Sequence, residues 1–103
     1  MSTGKAINAS GTITAGGTSQ QALAGDGSRH FLEIHNPSLK ADGVTAETEA
    51  LRFNFGAACT ALNSYTLAPG ATAAYSIENG LCPIDAVHVL AATTGHVFVI
   101  KWA

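Results

Sequence analysis

The chain has 103 residues, a formal net charge of −2, 47% hydrophobic residues and 12% charged ones. That length allows one domain with its own core. Weak negative charge, with Lys5, Arg29, Lys40, Arg52 and Lys101 scattered, leaves no footprint for a nucleic acid, and no apolar run approaches the roughly 20 residues of a membrane-crossing helix.

The charged fraction is about half the usual value, so Ser, Thr, Asn and Gly supply much of the polar surface. Surface with few ions costs little to desolvate. This composition fits a surface covered by partner subunits, and equally a Thr/Ala/Gly-rich β domain that is simply low in charge. The opening residues Met1-Ser2-Thr3-Gly4-Lys5 lack the apolar stretch of a secretory signal. The expectation is synthesis in a cytoplasm, or assembly there into a particle that later leaves.

Residues 1–27 are rich in Gly, Ser, Thr and Ala, with Ile7, Ile13 and Leu23 as the large apolar side chains. Short extended runs are expected at Gly11–Ala15 and Gln20–Ala24, broken at Gly16-Gly17. With so few apolar groups the segment cannot make a core alone, so it is expected as an arm held by a neighbouring subunit. Arg29 to Asn36 is the first strong strand, with Phe31, Glu33 and His35 on one face and His30, Leu32 and Ile34 on the other. Asn36-Pro37-Ser38 ends it, because proline cannot donate to a ladder.

The 39–50 segment, containing Asp42, Glu47 and Glu49, reads as a long loop with one helical turn around Thr45 to Ala50. Loops of that length in small domains often make contacts; a solvated excursion is the other reading. Leu51 to Phe55 alternates, with Leu51, Phe53 and Phe55 inward. Tyr65–Leu67 and Ala73–Ile77 follow as strands, separated by a type II turn at Pro69-Gly70. Ala86–Leu90 and Val97–Trp102 flank the turn Thr93-Thr94-Gly95. The last strand is apolar on both faces, so covering on both sides is expected, with Trp102 buried by a partner sheet or another chain.

These elements predict an all-β fold: a single antiparallel β-sandwich or jelly-roll-like barrel of about eight short strands with an extended N-terminal arm. The domain division is arm and first strands at 1–27, then a sandwich body at 28–103 with an inserted loop at 39–50.

Catalytic signals are thin. His30 and His35 point to opposite faces of one strand. His88 and His96 become neighbours only if the strands at 86–90 and 97–102 form a hairpin in one register. A zinc site needs three or four converging ligands, and partly buried, hydrogen-bonded histidines are the ordinary reading. Glu47 and Glu49 read as solvated carboxylates, and no G-x-S-x-G elbow or phosphate loop is present. No catalytic, metal or cofactor residues are assigned. Cys59 and Cys82 each sit at a turn. A bridge between them would close a loop of about two dozen residues and stabilise by about 3 kcal/mol; two free thiols are the alternative.

The order Gly11-Thr12-Ile13-Thr14-Ala15-Gly16-Gly17-Thr18-Ser19-Gln20-Gln21-Ala22-Leu23, Ser28 to Ser38, Arg52 to Ala58, Leu67 to Ala71 and Ala91 to Phe98 resembles small structural proteins of tailed-bacteriophage virions. The resemblance omits the 39–50 loop, where the similar proteins carry a short turn. It implies a virion component without catalytic residues: a capsid decoration or cement protein on the shell surface, trimeric, bridging subunits of the major capsid protein. Ile7, Ile13 and Leu23 on the arm, Leu39 and Val44 on the loop, and Trp102 are the expected interface residues. The faces around Phe53, Phe55, Phe98 and Ile100 are expected as core or subunit interface. Two other functions stay open at this point: a head-fibre or tail component that binds host-surface glycans, and a small hydrolase or metal enzyme.

Overall fold

Side-chain alternation decides which face of each strand is buried. In β4 (Phe31–His35) Leu32 and Ile34 are buried; in β5 (Leu51–Phe55) Leu51 and Phe53 are. β8 (Val87–Leu90) buries Val87 and Val89, and β9 (Val97–Trp102) buries Phe98 and Ile100. The computed structural model describes residues 5–103, and the start of the expected arm lies outside them. The remaining strands are β1 (Ile7–Asn8), β2 (Gly11–Thr12), β3 (Gln20–Leu23), β6 (Tyr65–Leu67) and β7 (Thr72–Ser76). One 3-10 turn, Ile77–Asn79, is capped by the Ser76 side chain, which accepts from Asn79 N–H.

The strands form two antiparallel sheets. One runs β1–β9–β4–β7, with β2 also on β9; the other runs β3–β8–β5–β6. A single register carries the leading chain from Ile7 opposite Trp102, through Gly11 opposite Phe98, to Gln21 opposite His88. β1 and β2 are thus one strand, interrupted where Ser10 Oγ accepts from Ile100 N–H at 3.0 Å. This ribbon passes from one sheet to the other, and the strand order is that of a jelly roll. The fold is an all-β sandwich, with core residues Ile13, Leu32, Ile34, Leu51, Phe53, Val87, Val89, Phe98 and Ile100 between the sheets.

Where the ribbon changes sheets, the chain at Gly16 lies against the 91–95 corner. A Cβ there would stand 2.3 Å from Ala92 O and 2.8 Å from Thr94 N. Glycine alone fits so close a backbone approach. Gly16 N–H donates to Thr94 Oγ1 at 2.9 Å and Gly17 N–H to Ala91 O at 2.8 Å. The Ala68–Ala71 turn is the type II turn expected at Pro69-Gly70: Gly70 has φ 85° and Ala71 N–H donates to Ala68 O at 2.9 Å.

Several sequence expectations are corrected. From Ile7 onward the supposed arm is part of the body; its own chain holds it, and Ile13 sits fully buried in the core. β8 and β9 are not a hairpin, because they belong to different sheets, so His88 and His96 are not strand neighbours. The outer face of β9 is half-buried at Val97 and Val99. Trp102 packs beneath Arg29 of the same chain, the guanidinium carbon 5.7 Å from the ring centroid. The 39–50 loop has no helical turn. Asp42 Oδ1 accepts from Val44 and Thr45 N–H, both at 2.8 Å, and its other oxygen accepts from the Thr45 hydroxyl. Such local side-chain bonding competes with helix, and the loop closes instead through a bridge between Leu39 and Ala46.

Candidate functional site

Three buried polar side chains meet where the 39–50 loop joins the sandwich. Asn36 follows β4, Glu47 lies in the loop, and His96 precedes β9. Asn36 is 0% exposed, His96 4% and Glu47 9%. Asn36 Nδ2 donates to Glu49 O and Leu67 O, both at 3.0 Å. His96 Nε2 lies 2.8 Å from Asn36 Oδ1, and His96 Nδ1 lies 3.3 Å from Glu47 Oε1. Glu47 Oε2 accepts from the N–H groups of Thr48 and Glu49. The Thr93 hydroxyl donates to Glu49 Oε1. Buried polar groups of this kind persist because their partners are made. Glu47 is therefore not the solvated carboxylate that its polar neighbourhood suggests.

Above this cluster lies a crevice of about 220 Å³, walled by Lys40, Asp42, Glu47, Glu49 and the 93–96 corner. A second crevice of about 400 Å³ is lined mainly by Ala50, Arg52 and Leu90 to Ala92. In the first, the Thr93 hydroxyl is bonded to the Glu49 carboxylate; the lining of the second is mostly apolar. Among the described residues, no three His, Cys, Asp or Glu side chains converge as metal ligands. In the crevice wall, the hydrogen bonds from Thr45 and from the Val44 and Thr45 backbone hold the Asp42 carboxyl down at about 2.

Arg29 is the second buried hub, 2% exposed. Nη1 donates to Pro83 O and Asp85 O at 2.9 and 3.0 Å, and Nη2 to Ala24 O at 2.7 Å. These bonds fasten the end of the leading segment to the 83–85 turn, while the cation covers Trp102. Its role is architectural.

The sheet edges stand out instead. The edge strands β1, β2, β3, β6 and β7 carry no charged residue and no proline among them. The strand-borne Lys, Arg and Glu residues are Glu33, Arg52 and Lys101, all on the inner strands β4, β5 and β9. Proteins that avoid edge-to-edge contact place charge and proline the other way round. In β7, Ala73 and Tyr75 direct their backbone groups to β4, as does Ala71 just before it, leaving those of Thr72 and Ala74 directed outward.

Of the expected interface residues, Ile7, Leu39 and Val44 are exposed, Val44 by 82%. Leu23 and Trp102 are half-buried against the core, and Ile13 is inside it. Residues not anticipated are Leu62, 99% exposed, and Tyr65, Ile77, Leu81 and Ile84. They lie in or beside turns, and the turn residues Asn63, Gly80 and Pro83 were the only signal. Cys59 and Cys82 are two separate buried thiols, not a bridge. Cys59 Sγ lies 3.4 Å from His88 O, and burial pushes the Cys82 thiol up.

No protein-family model matches the chain, and no curated protein matches it. One solved structure shares its fold: a protein of Bacillus endospore appendages, described as a novel family of disulfide-linked pili. The likeness covers 96% of this chain and 85% of that one, with a TM-score of 0.50 and 17% identity.

Proposed function

We propose that this chain is a structural subunit of a virion, a decoration or cement protein that sits on the shell and bridges capsid subunits. The observation that carries the reading is the chemistry of its edges: the strands on all four sheet edges are uncharged and proline-free, on a domain with 12% charged residues. An open edge recruits a further strand through main-chain hydrogen bonds, and several modest contacts made at once gain avidity. The exposed side chains Val44, Leu62, Ile77 and Leu81 add apolar area that a covering subunit would bury. On this reading the chain acts as a trimer beside the major capsid protein, and the 39–50 loop is a second contact.

The test is addition of the purified chain to shells that lack it, scored by copies bound per particle. Occupancy in the hundreds is expected, and a double variant Gln21→Lys, Ala74→Lys that still folds should lose most of it. Failure to bind any shell, with a monomer at all concentrations, would sink the reading. The same open edges favour a second reading, a subunit that polymerises with itself into an appendage; the structure with the shared fold comes from Bacillus endospore appendages described as disulfide-linked pili. Filaments formed by the chain alone would select it. A glycan platform is less well supported, because Tyr65 is the one exposed aromatic ring among the described residues, and it stacks on Phe53.

A further inference from the structure

We propose that Asn79 is a self-modifying site: the backbone nitrogen of Gly80 attacks its side-chain amide and converts it to aspartate or isoaspartate at the end of edge strand β7. An asparagine reacts this way when its amide is free to turn and the next residue offers an unhindered backbone nitrogen. The fold sorts the asparagines on both counts. Asn36 precedes Pro37, whose nitrogen carries no hydrogen, and its buried amide donates to Glu49 O and Leu67 O. Asn8 Oδ1 accepts from Ser10 N–H, and Asn54 Nδ2 donates to Ala57 O. Asn63 is fastened at both ends: Oδ1 accepts from Thr60 N–H and the Ser64 hydroxyl, and Nδ2 donates to Ala58 O. The residues that follow these three, Ala9, Phe55 and Ser64, also carry side chains that crowd the approach. Asn79 is exposed, precedes Gly80, and has no hydrogen bond on its side chain among the described residues. Space is open on the glycine side too, where an added Cβ would meet nothing within 4 Å.

The bonds that restrain the turn are weak. Asn79 N–H donates to Ser76 Oγ and Gly80 N–H to Ile77 O, both at 3.2 Å. These are long bonds in an exposed 3-10 turn of three residues, a geometry that opens at little cost. Once the Gly80 N–H is released, hydroxide takes its proton and the nitrogen attacks Asn79 Cγ. The new C–N bond closes a succinimide ring, the Cγ–Nδ2 bond breaks, and ammonia leaves with a proton from water. Water then opens the ring. Cleavage between Cγ and the Gly80 nitrogen gives aspartate; cleavage at the former main-chain carbonyl gives isoaspartate. No electron is transferred, and water is the co-reactant. The Asp26-Gly27 and Asp42-Gly43 pairs are protected, because ring closure there needs the uncharged acid. Asp26 is bonded to Ser28, and Asp42 to Val44 and Thr45. Those hydrogen bonds hold both carboxyls below their ordinary range, as carboxylates.

Either product adds a negative charge beside Glu78, between the exposed side chains of Ile77 and Leu81. Charge at the end of an edge strand discourages the addition of another strand. Isoaspartate also lengthens the main chain by a methylene inside the turn that bridges Ser76 to Leu81. The experiment is incubation of the full chain in mildly alkaline buffer, followed by peptide mapping with mass spectrometry and by isoelectric focusing. The Asn79 peptide should shift to its acidic form, with isoaspartate in excess over aspartate, before the Asn8, Asn54 or Asn63 peptides change. The rate should rise with pH, because hydroxide generates the nucleophile. The acidic band should not form over the same time in Asn79→Gln, where the longer side chain closes its ring far more slowly. An Asn79 peptide that keeps its amide, or that changes no sooner than that of Asn63, overturns the proposal. Should Asn79→Gln not fold, the native peptide map decides alone.

Discussion

Replacing Asn36 with alanine would remove three hydrogen bonds from a side chain that is 0% exposed. It would leave Leu67 O, Glu49 O and the His96 Nε2–H without their partner. A buried group left unpaired costs about 1–3 kcal/mol, and because the three act as one network the costs do not simply add. The expected loss is about 4 kcal/mol, a large part of the roughly 5–15 kcal/mol that holds a domain folded. In a chain of this length that is about 15–30 °C in melting temperature. Urea denaturation, with fluorescence from Trp102 and circular dichroism followed together, gives the difference directly. Asn36→Asp should also be destabilised: it keeps an acceptor for His96 but turns a carboxylate oxygen towards two carbonyls. A loss below about 1 kcal/mol for Asn36→Ala would refute the reasoning, since it would mean the freed groups find water or new partners at no cost.

Gly16→Ala should destabilise by about 2 kcal/mol, because the added methyl meets backbone atoms of Ala92 and Thr94 that cannot rotate away; a stability change near zero in the same urea assay would argue against that close approach. Arg29→Ala should cost about 3–4 kcal/mol through three unpaired carbonyls and an uncovered Trp102, visible as a red-shifted tryptophan emission at lower denaturant. The hydrogen bonds of Asp42 hold its carboxyl at about 2, below the usual 3.8. Its contribution to the 42–45 turn is therefore complete above the ordinary carboxylate value and is lost as pH falls through about 2. Faster hydrogen exchange at the Val44 and Thr45 amides at that pH, or at neutral pH in Asp42→Ala, is the measurement.

Acid removes the carboxylate that organises the tip at Asp42. Above that acid range the ordered loop presents Leu39 and Val44, both exposed, in one fixed arrangement. This matters for any partner that covers it, because an ordered contact surface loses less entropy on binding.

The class of fold and most strand positions were legible in the chain itself. Period-two alternation in 51–55 and 31–35 reports burial on one face, and that depends only on backbone geometry. The Pro69-Gly70 turn was legible for the same local reason: proline sets one dihedral and glycine allows the other. What decided the rest was pairing across distance. Residues 7–21 read as a weak, glycine-rich arm because propensity cannot see that 88–102 supplies its hydrogen bonds and buries Ile13. The 86–102 stretch read as a hairpin because two strands and a turn look alike whether the chain folds back or crosses to the other sheet. The Asn36–Glu47–His96 cluster had no sequence signal, since its members are dispersed along the chain and each alone has an ordinary surface role. Local chemistry sets which residues turn and which alternate; only the three-dimensional fold decides which polar groups lose water together, and hence which of them must find partners in one another.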